Sequence, residues 1–143
     1  MIVGDIMRIY LASPFWTQVD KDLINKIEYL AMEYNHELYS PSRDGIILNK
    51  DDMGKNSKKV FDENIRAIEW SDTVIVVIDG RDQGTIFECG VAWAKNKEII
   101  GMSNQNFRMN VMLAESVNGF CNGLQELEDY FKGIKKGYKG EIQ

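Results

Sequence analysis

Two carboxylates, Asp82 and Glu88, stand six residues apart in the run Asp79-Gly80-Arg81-Asp82-Gln83-Gly84-Thr85-Ile86-Phe87-Glu88-Cys89-Gly90. Acids held at the mouth of a sheet can serve as a nucleophile or as a general acid and base. The same residues also fit ordinary local chemistry. Thr85 with Glu88 makes a T-x-x-E capping pattern, and an aspartate in a glycine-containing loop is common turn usage. What separates the two readings is position in the fold, and a second unusual stretch, Tyr10-Leu11-Ala12-Ser13-Pro14-Phe15-Trp16, is expected to converge on the same crevice.

That convergence follows from the elements. Met7 to Ala12 reads as a strand, and Thr17 with Asp20 caps a helix whose apolar face is Val19, Leu23, Ile27, Leu30 and Tyr34. His36 to Tyr39 forms a second strand that ends at the turn residues 40–45, and a polar loop continues to about Ser57. Lys58 to Trp70 is helical with Phe61, Ile65 and Ile68 inward. Thr73 to Ile78 is a β-branched run of the kind buried on both faces. A helix from about Thr85 to Lys95, a strand at Glu98 to Met102, a short helix beginning near Asn110, a weak strand at Val117 to Cys121 and a helix at Leu124 to Phe131 complete the chain. Strands alternating with helices imply a doubly wound α/β domain with about five parallel strands in flavodoxin-like order. Ligands then bind beyond the carboxyl ends of strands 1 and 3, where YLASPFW and the acidic run both end.

Composition narrows the partners. The 143 residues, 44% hydrophobic and 27% charged, suit one globular domain over 1–143, with 1–6 an N-terminal extension and 133–143 a flexible tail. No secretory signal or membrane span is expected, so the cytoplasm is the default compartment. A formal charge of −5 disfavours nucleic acid. Lys132, Lys135, Lys136 and Lys139 read as a solvated end, Cys89 and Cys121 as free thiols, Trp70 and Trp93 as packing residues, and His36 as a surface or strand-end residue.

Taken together, Tyr10 to Phe15, the D-x-G-T-x-x-E-x-G stretch from Asp82 to Gly90, and Asn110-Val111-Met112 resemble the nucleoside 2-deoxyribosyltransferase family. The resemblance runs from about Met7 to Phe131. It implies a flavodoxin-like homo-oligomer that moves 2′-deoxyribose between nucleobases through a covalent sugar–enzyme intermediate, with no cofactor or metal. By position it makes Glu88 the nucleophile, Asp82 an acid that helps bind the nucleoside, and Tyr10 the group that orients the nucleophile. Asn110 and Met112 correspond to an element that reaches a neighbouring subunit's active site. One departure stands out: Asn64 occupies the position of an aspartate on the base side, with Asp62 nearby but out of register. An amide can bind a base edge but cannot give up a proton as an acid, so Asp82 is expected to carry more of that load.

Elementary chemistry supports the nucleophile. Cleavage of an N-glycosidic bond passes through an oxocarbenium-like state that a carboxylate can stabilise and then trap. A phenol near Glu88 can fix it by a hydrogen bond, while Phe15 and Trp16 are candidates for stacking on the base. At a helix N-terminus, Glu88 is expected to stay ionised without a raised pKa. Two alternatives remain. One is an N-glycosidase acting on 2′-deoxynucleosides or their 5′-monophosphates, for which Ser13, Arg43 and Arg108 are the candidate phosphate ligands. The other is a non-enzymatic flavodoxin-like binding module, against which the absence of a receiver-type acid pair or flavin phosphate loop in YLASPF argues.

Overall fold

A computed structural model describes residues 4–45, 54–105 and 108–143. Five strands form one sheet in the order β2-β1-β3-β4-β5, and every neighbouring pair is parallel. They are β1 (Arg8–Ala12), β2 (Glu37–Tyr39), β3 (Thr73–Val77), β4 (Glu98–Ser103) and β5 (Gly119–Asn122). This is the expected flavodoxin-like order, in which the chain reverses winding direction between β1 and β3.

Period-two alternation sends each strand's side chains into two separate cores. Ile9, Leu11, Ile75 and Val77 pack beneath α1 (Gln18–Glu33) and α6 (Leu124–Phe131). Tyr10, Ala12, Val74 and Val76 face α3 (Ser57–Trp70) and α4 (Gln83–Ala94). All five residues of β3 are buried, as its unbroken β-branched run requires in a sheet covered on both sides. Cys89 and Cys121 are buried free thiols in different cores.

Several local expectations change. Val19 is exposed, and α1 instead buries Leu23, Ile24, Ile27 and Ala31, because the inward stripe begins one turn after the Thr17–Asp20 capping box. The turn after β2 contains a single helical turn, α2 (Pro41–Asp44), started by proline at its first position. Phe61 is half exposed and leans on Phe87 of α4, with ring centroids 6.0 Å apart. Trp93 is 63% exposed rather than packed. His36 is buried, where Nδ1 accepts the Met7 amide at 3.0 Å and the ring lies against Phe131. The polar loop expected before Ser57 lies in part, at 46–53, outside the described residues.

The C-terminal stretch is solvent-exposed yet tied down. Lys136 accepts the Phe120 amide through its carbonyl, Ile142 bridges Met109, and Tyr138 packs edge-on against Phe120. Two of its lysines pair with acids: Lys135 with Glu98, and Lys136 with Glu126 and Asp129. Among the described residues no helix is long and apolar enough to cross a membrane.

Candidate active site

β1 delivers Tyr10 to the α3/α4 face, fully buried and in parallel register with Tyr39 of β2. Their rings stack 5.8 Å apart at 11°, and Tyr10 Oη donates to Glu88 Oε2. Glu88 reaches this point because the chain turns sharply after β3, through Gly80 (φ 80°) and Arg81 (φ 51°), before entering α4. A positive φ is cheap for glycine and less so for arginine.

The helix start differs from the T-x-x-E pattern. Asp82 is the N-cap of α4, and its Oδ2 accepts Thr85 N at 3.0 Å and Thr85 Oγ1 at 2.9 Å. Its other oxygen, Oδ1, accepts the Trp16 indole N–H at 3.1 Å. Trp16 in turn stacks on Phe15, with centroids 4.5 Å apart. The Tyr10–Glu88 and Trp16–Asp82 pairs thus meet at the start of α4, beyond β1 and β3, in the crevice expected from topology, with the charge of Asp82 felt at Glu88.

With Asp82 as the cap, Glu88 falls in the second turn of α4, where the helix dipole has largely faded. Its carboxyl is pushed up to about 7, first by burial, against the lowering effect of the Tyr10 hydrogen bond, and further by the negative charge of Asp82. The expectation of an unraised value is therefore wrong: desolvation of a half-buried carboxylate outweighs a dipole that acts mainly over one turn. Burial, then the charge and hydrogen bond of Glu88, push the Tyr10 phenol far above its usual range, so the proton between the two stays on the phenol.

Other predicted residues sit apart from this pair. Asn64 is half-buried on α3, on the stripe that buries Ala67 and Ile68. Asn110 caps α5 (Val111–Ser116), its Oδ1 accepting Met112 N at 2.8 Å, and Met112 is 77% exposed. Two cavities flank the centre. One, of about 630 Å³, is lined by Phe15, Trp16, Lys21, Ser42 and Arg43 among others. The second, of about 350 Å³, is mostly apolar and lies between Cys89, Gly90 and Trp93 on α4 and Val111 and Met112 on α5. Glu88 lines neither; the first reaches its Trp16 side and the second its Cys89 side.

The groups considered for phosphate are occupied. Arg43 Nη2 binds Asp44 Oδ2 at 2.7 Å and Nη1 lies 4.0 Å from Glu28. Arg108 pairs with Glu141 at 2.7 Å, and Ser13 Oγ donates to the Pro14 carbonyl.

Sequence reasoning missed Tyr39 and Glu63. Tyr39 Oη donates to Glu63 Oε1 at 3.2 Å, and burial followed by the Glu63 charge pushes its phenol up to about 12. The signal was available in principle: Tyr10 and Tyr39 fall in adjacent parallel strands, and residues paired in register share a face. Among the described residues no group of three or more histidines, cysteines, aspartates and glutamates is arranged to hold a metal ion.

Comparison with known proteins gives a consistent picture. The profile of a family described as nucleoside 2-deoxyribosyltransferase matches residues 9–129. An uncharacterised protein of Ureaplasma parvum is 26% identical, the match covering 82% of each chain. A 2-deoxyribosyltransferase structure from Bacillus psychrosaccharolyticus superposes with a TM-score of 0.79 at 24% identity, covering 92% of this chain and 98% of that one. One from Leishmania mexicana gives 0.64 at 20% identity, covering 87% and 96%. At these identities the two structures speak for the fold.

Proposed function

The chain belongs to the nucleoside 2-deoxyribosyltransferase family, and from that membership we propose that it transfers 2′-deoxyribose between nucleobases with Glu88 as the covalent carrier. The observation that supports this most is the Tyr10–Glu88 hydrogen bond at the switch point of the sheet, since a carboxylate nucleophile must be aimed before it can attack.

In the first half-reaction, ionised Glu88 attacks the anomeric carbon as the bond to the base breaks. Charge builds on the sugar, and the nearby carboxylate stabilises it. Tyr10 fixes the orientation of Glu88 and, by donating, favours its charged form. Asp82, anchored by Thr85 and Trp16, is held to accept a sugar hydroxyl. In the second half-reaction an incoming base displaces Glu88 and retains the configuration at carbon.

The substrate favoured is a nucleoside rather than its 5′-monophosphate. Arg43 and Arg108 are already paired with acids and the Ser13 hydroxyl is turned to its neighbour's carbonyl, so capturing a phosphate with them would first break those contacts. Asn110 and Met112 would serve a second copy of the chain across the exposed apolar surface of Trp93, Val111 and Met112, so that each active site is completed by two subunits.

Incubating a 2′-deoxynucleoside with a second free base, with chromatographic separation, tests the reading. A new nucleoside is expected. Free deoxyribose without new nucleoside would reassign the chain to hydrolysis, and no base release would remove the proposal.

A further inference from the structure

We propose that Glu63, oriented by Tyr39, is the carboxylic acid that protonates the departing base and later accepts the proton of the incoming one. This inference rests on the transfer reading given above.

A nucleobase leaves poorly as an anion, so retaining cleavage calls for an acid on the base side in addition to the nucleophile. The acids near the Tyr10–Glu88 pair can be taken in turn. Asp82 has both oxygens engaged by donors, Oδ2 by Thr85 and Oδ1 by Trp16, so a proton placed there would face hydrogen-bond donors. Asp44, despite the upward push of burial, is held below the usual carboxylate range by Arg43 and the Ser40 amide. Asp62 turns to Lys58, whose Nζ lies 2.9 Å and 3.0 Å from its two oxygens. Asn64 has no proton to give as an acid.

Glu63 differs from all four. It is half-buried on α3, and among the described residues only its Oε1 is engaged, accepting from Tyr39 Oη, so that unlike Asp82 it has a second oxygen, Oε2, left to carry the proton. The Tyr39 ring stacks on that of Tyr10, its partner in strand register. Two tyrosine–carboxylate pairs thus stand side by side: Tyr10 with Glu88 and Tyr39 with Glu63. One carboxylate would form the bond to carbon while the other manages the proton.

The step balances. The electron pair of the glycosidic bond goes to the base nitrogen, the Glu63 proton goes to the base, and a Glu88 oxygen bonds to the anomeric carbon. In return, the incoming base loses its proton to the Glu63 carboxylate as its nitrogen displaces Glu88.

Glu63→Gln keeps an acceptor for Tyr39 and removes the proton. The test measures kcat/KM for wild type, Glu63→Gln and an Asp62→Asn control over a series of 2′-deoxynucleosides ordered by the acidity of the free base. For the least acidic bases Glu63→Gln should lose about 10²- to 10⁴-fold, the range of general acid catalysis. The loss should shrink as the base becomes a better leaving group, giving a steeper dependence than in wild type, while Asp62→Asn follows wild type. Equal slopes for Glu63→Gln and wild type would overturn the assignment of Glu63 and leave the transfer reading standing. A wild-type protein that releases no base from any member of the series would overturn both.

Discussion

Replacing Tyr10 with phenylalanine removes one oxygen from the centre of the site and leaves the stacked ring on Tyr39 in place. In the wild-type protein the Glu88 carboxyl sits at about 7, so at neutral pH roughly half of it is ionised. The Tyr10 hydrogen bond holds that value down against burial and Asp82. A hydrogen bond to a charged group contributes about 1.5–3 kcal/mol, and each pH unit corresponds to about 1.4 kcal/mol. Losing it should therefore raise the Glu88 value by roughly one to two units. The ionised fraction at neutral pH then falls about 5- to 50-fold by the same arithmetic, and base release should fall with it. The assay is kcat/KM for base release across pH. The acidic limb of Tyr10→Phe should move to higher pH, with the rate recovering above it. A loss of the same size at every pH, or an unmoved limb, would refute the reasoning that Tyr10 acts by stabilising the charged nucleophile.

Three further outcomes are expected. Glu88 has a folded-state value near 7 above an ordinary one of 4.5, so the stability it contributes is complete below about pH 4.5 and is lost as pH rises through about 7. Glu88→Gln should thus be more stable than wild type in urea unfolding above pH 7, by up to about 3 kcal/mol, and close to it at pH 4; a variant less stable at high pH contradicts the burial argument. Trp16→Phe keeps the ring on Phe15 but deletes the donor to Asp82. It should cost about tenfold in kcat/KM with little change in Tm, since the bond is exposed; unchanged kinetics would show that Trp16 does not position Asp82. Trp93→Glu puts a charge on the apolar α4/α5 surface and should lower the mass seen by sedimentation together with activity, whereas an unaltered mass would remove that surface as a contact between copies.

The fold was legible because β3 advertises burial on both faces and the helices carry clear signals: the Thr17–Asp20 cap, the short helix starting near Asn110 and the helix from Leu124 to Phe131 all appear as read. Glu88, Asp82, Tyr10 and Trp16 come together as topology implies. What the sequence could not show were the outcomes of competition. Whether Thr85 or Asp82 caps α4 depends on where the turn through Gly80 releases the chain, and that one-turn difference decides whether dipole or burial controls Glu88. Trp93 and Phe61 look like core residues by type, but the structure exposes them because their helix faces point away from the sheet. Tyr39 and Glu63 escaped notice because neither belongs to a local motif; the registration of β1 with β2 sets Tyr39 beside Tyr10, and the Tyr39–Glu63 hydrogen bond brings in α3.

The central claim is that a Glu88 oxygen bonds to the anomeric carbon of deoxyribose. Mixing the protein with a 2′-deoxynucleoside, quenching in acid and mapping peptides by mass spectrometry tests it directly. The account predicts a deoxyribosyl increment on the peptide carrying Glu88, absent from Glu88→Gln. Base release in which the sugar is found on another residue, or that persists in Glu88→Gln at the wild-type rate, would contradict it.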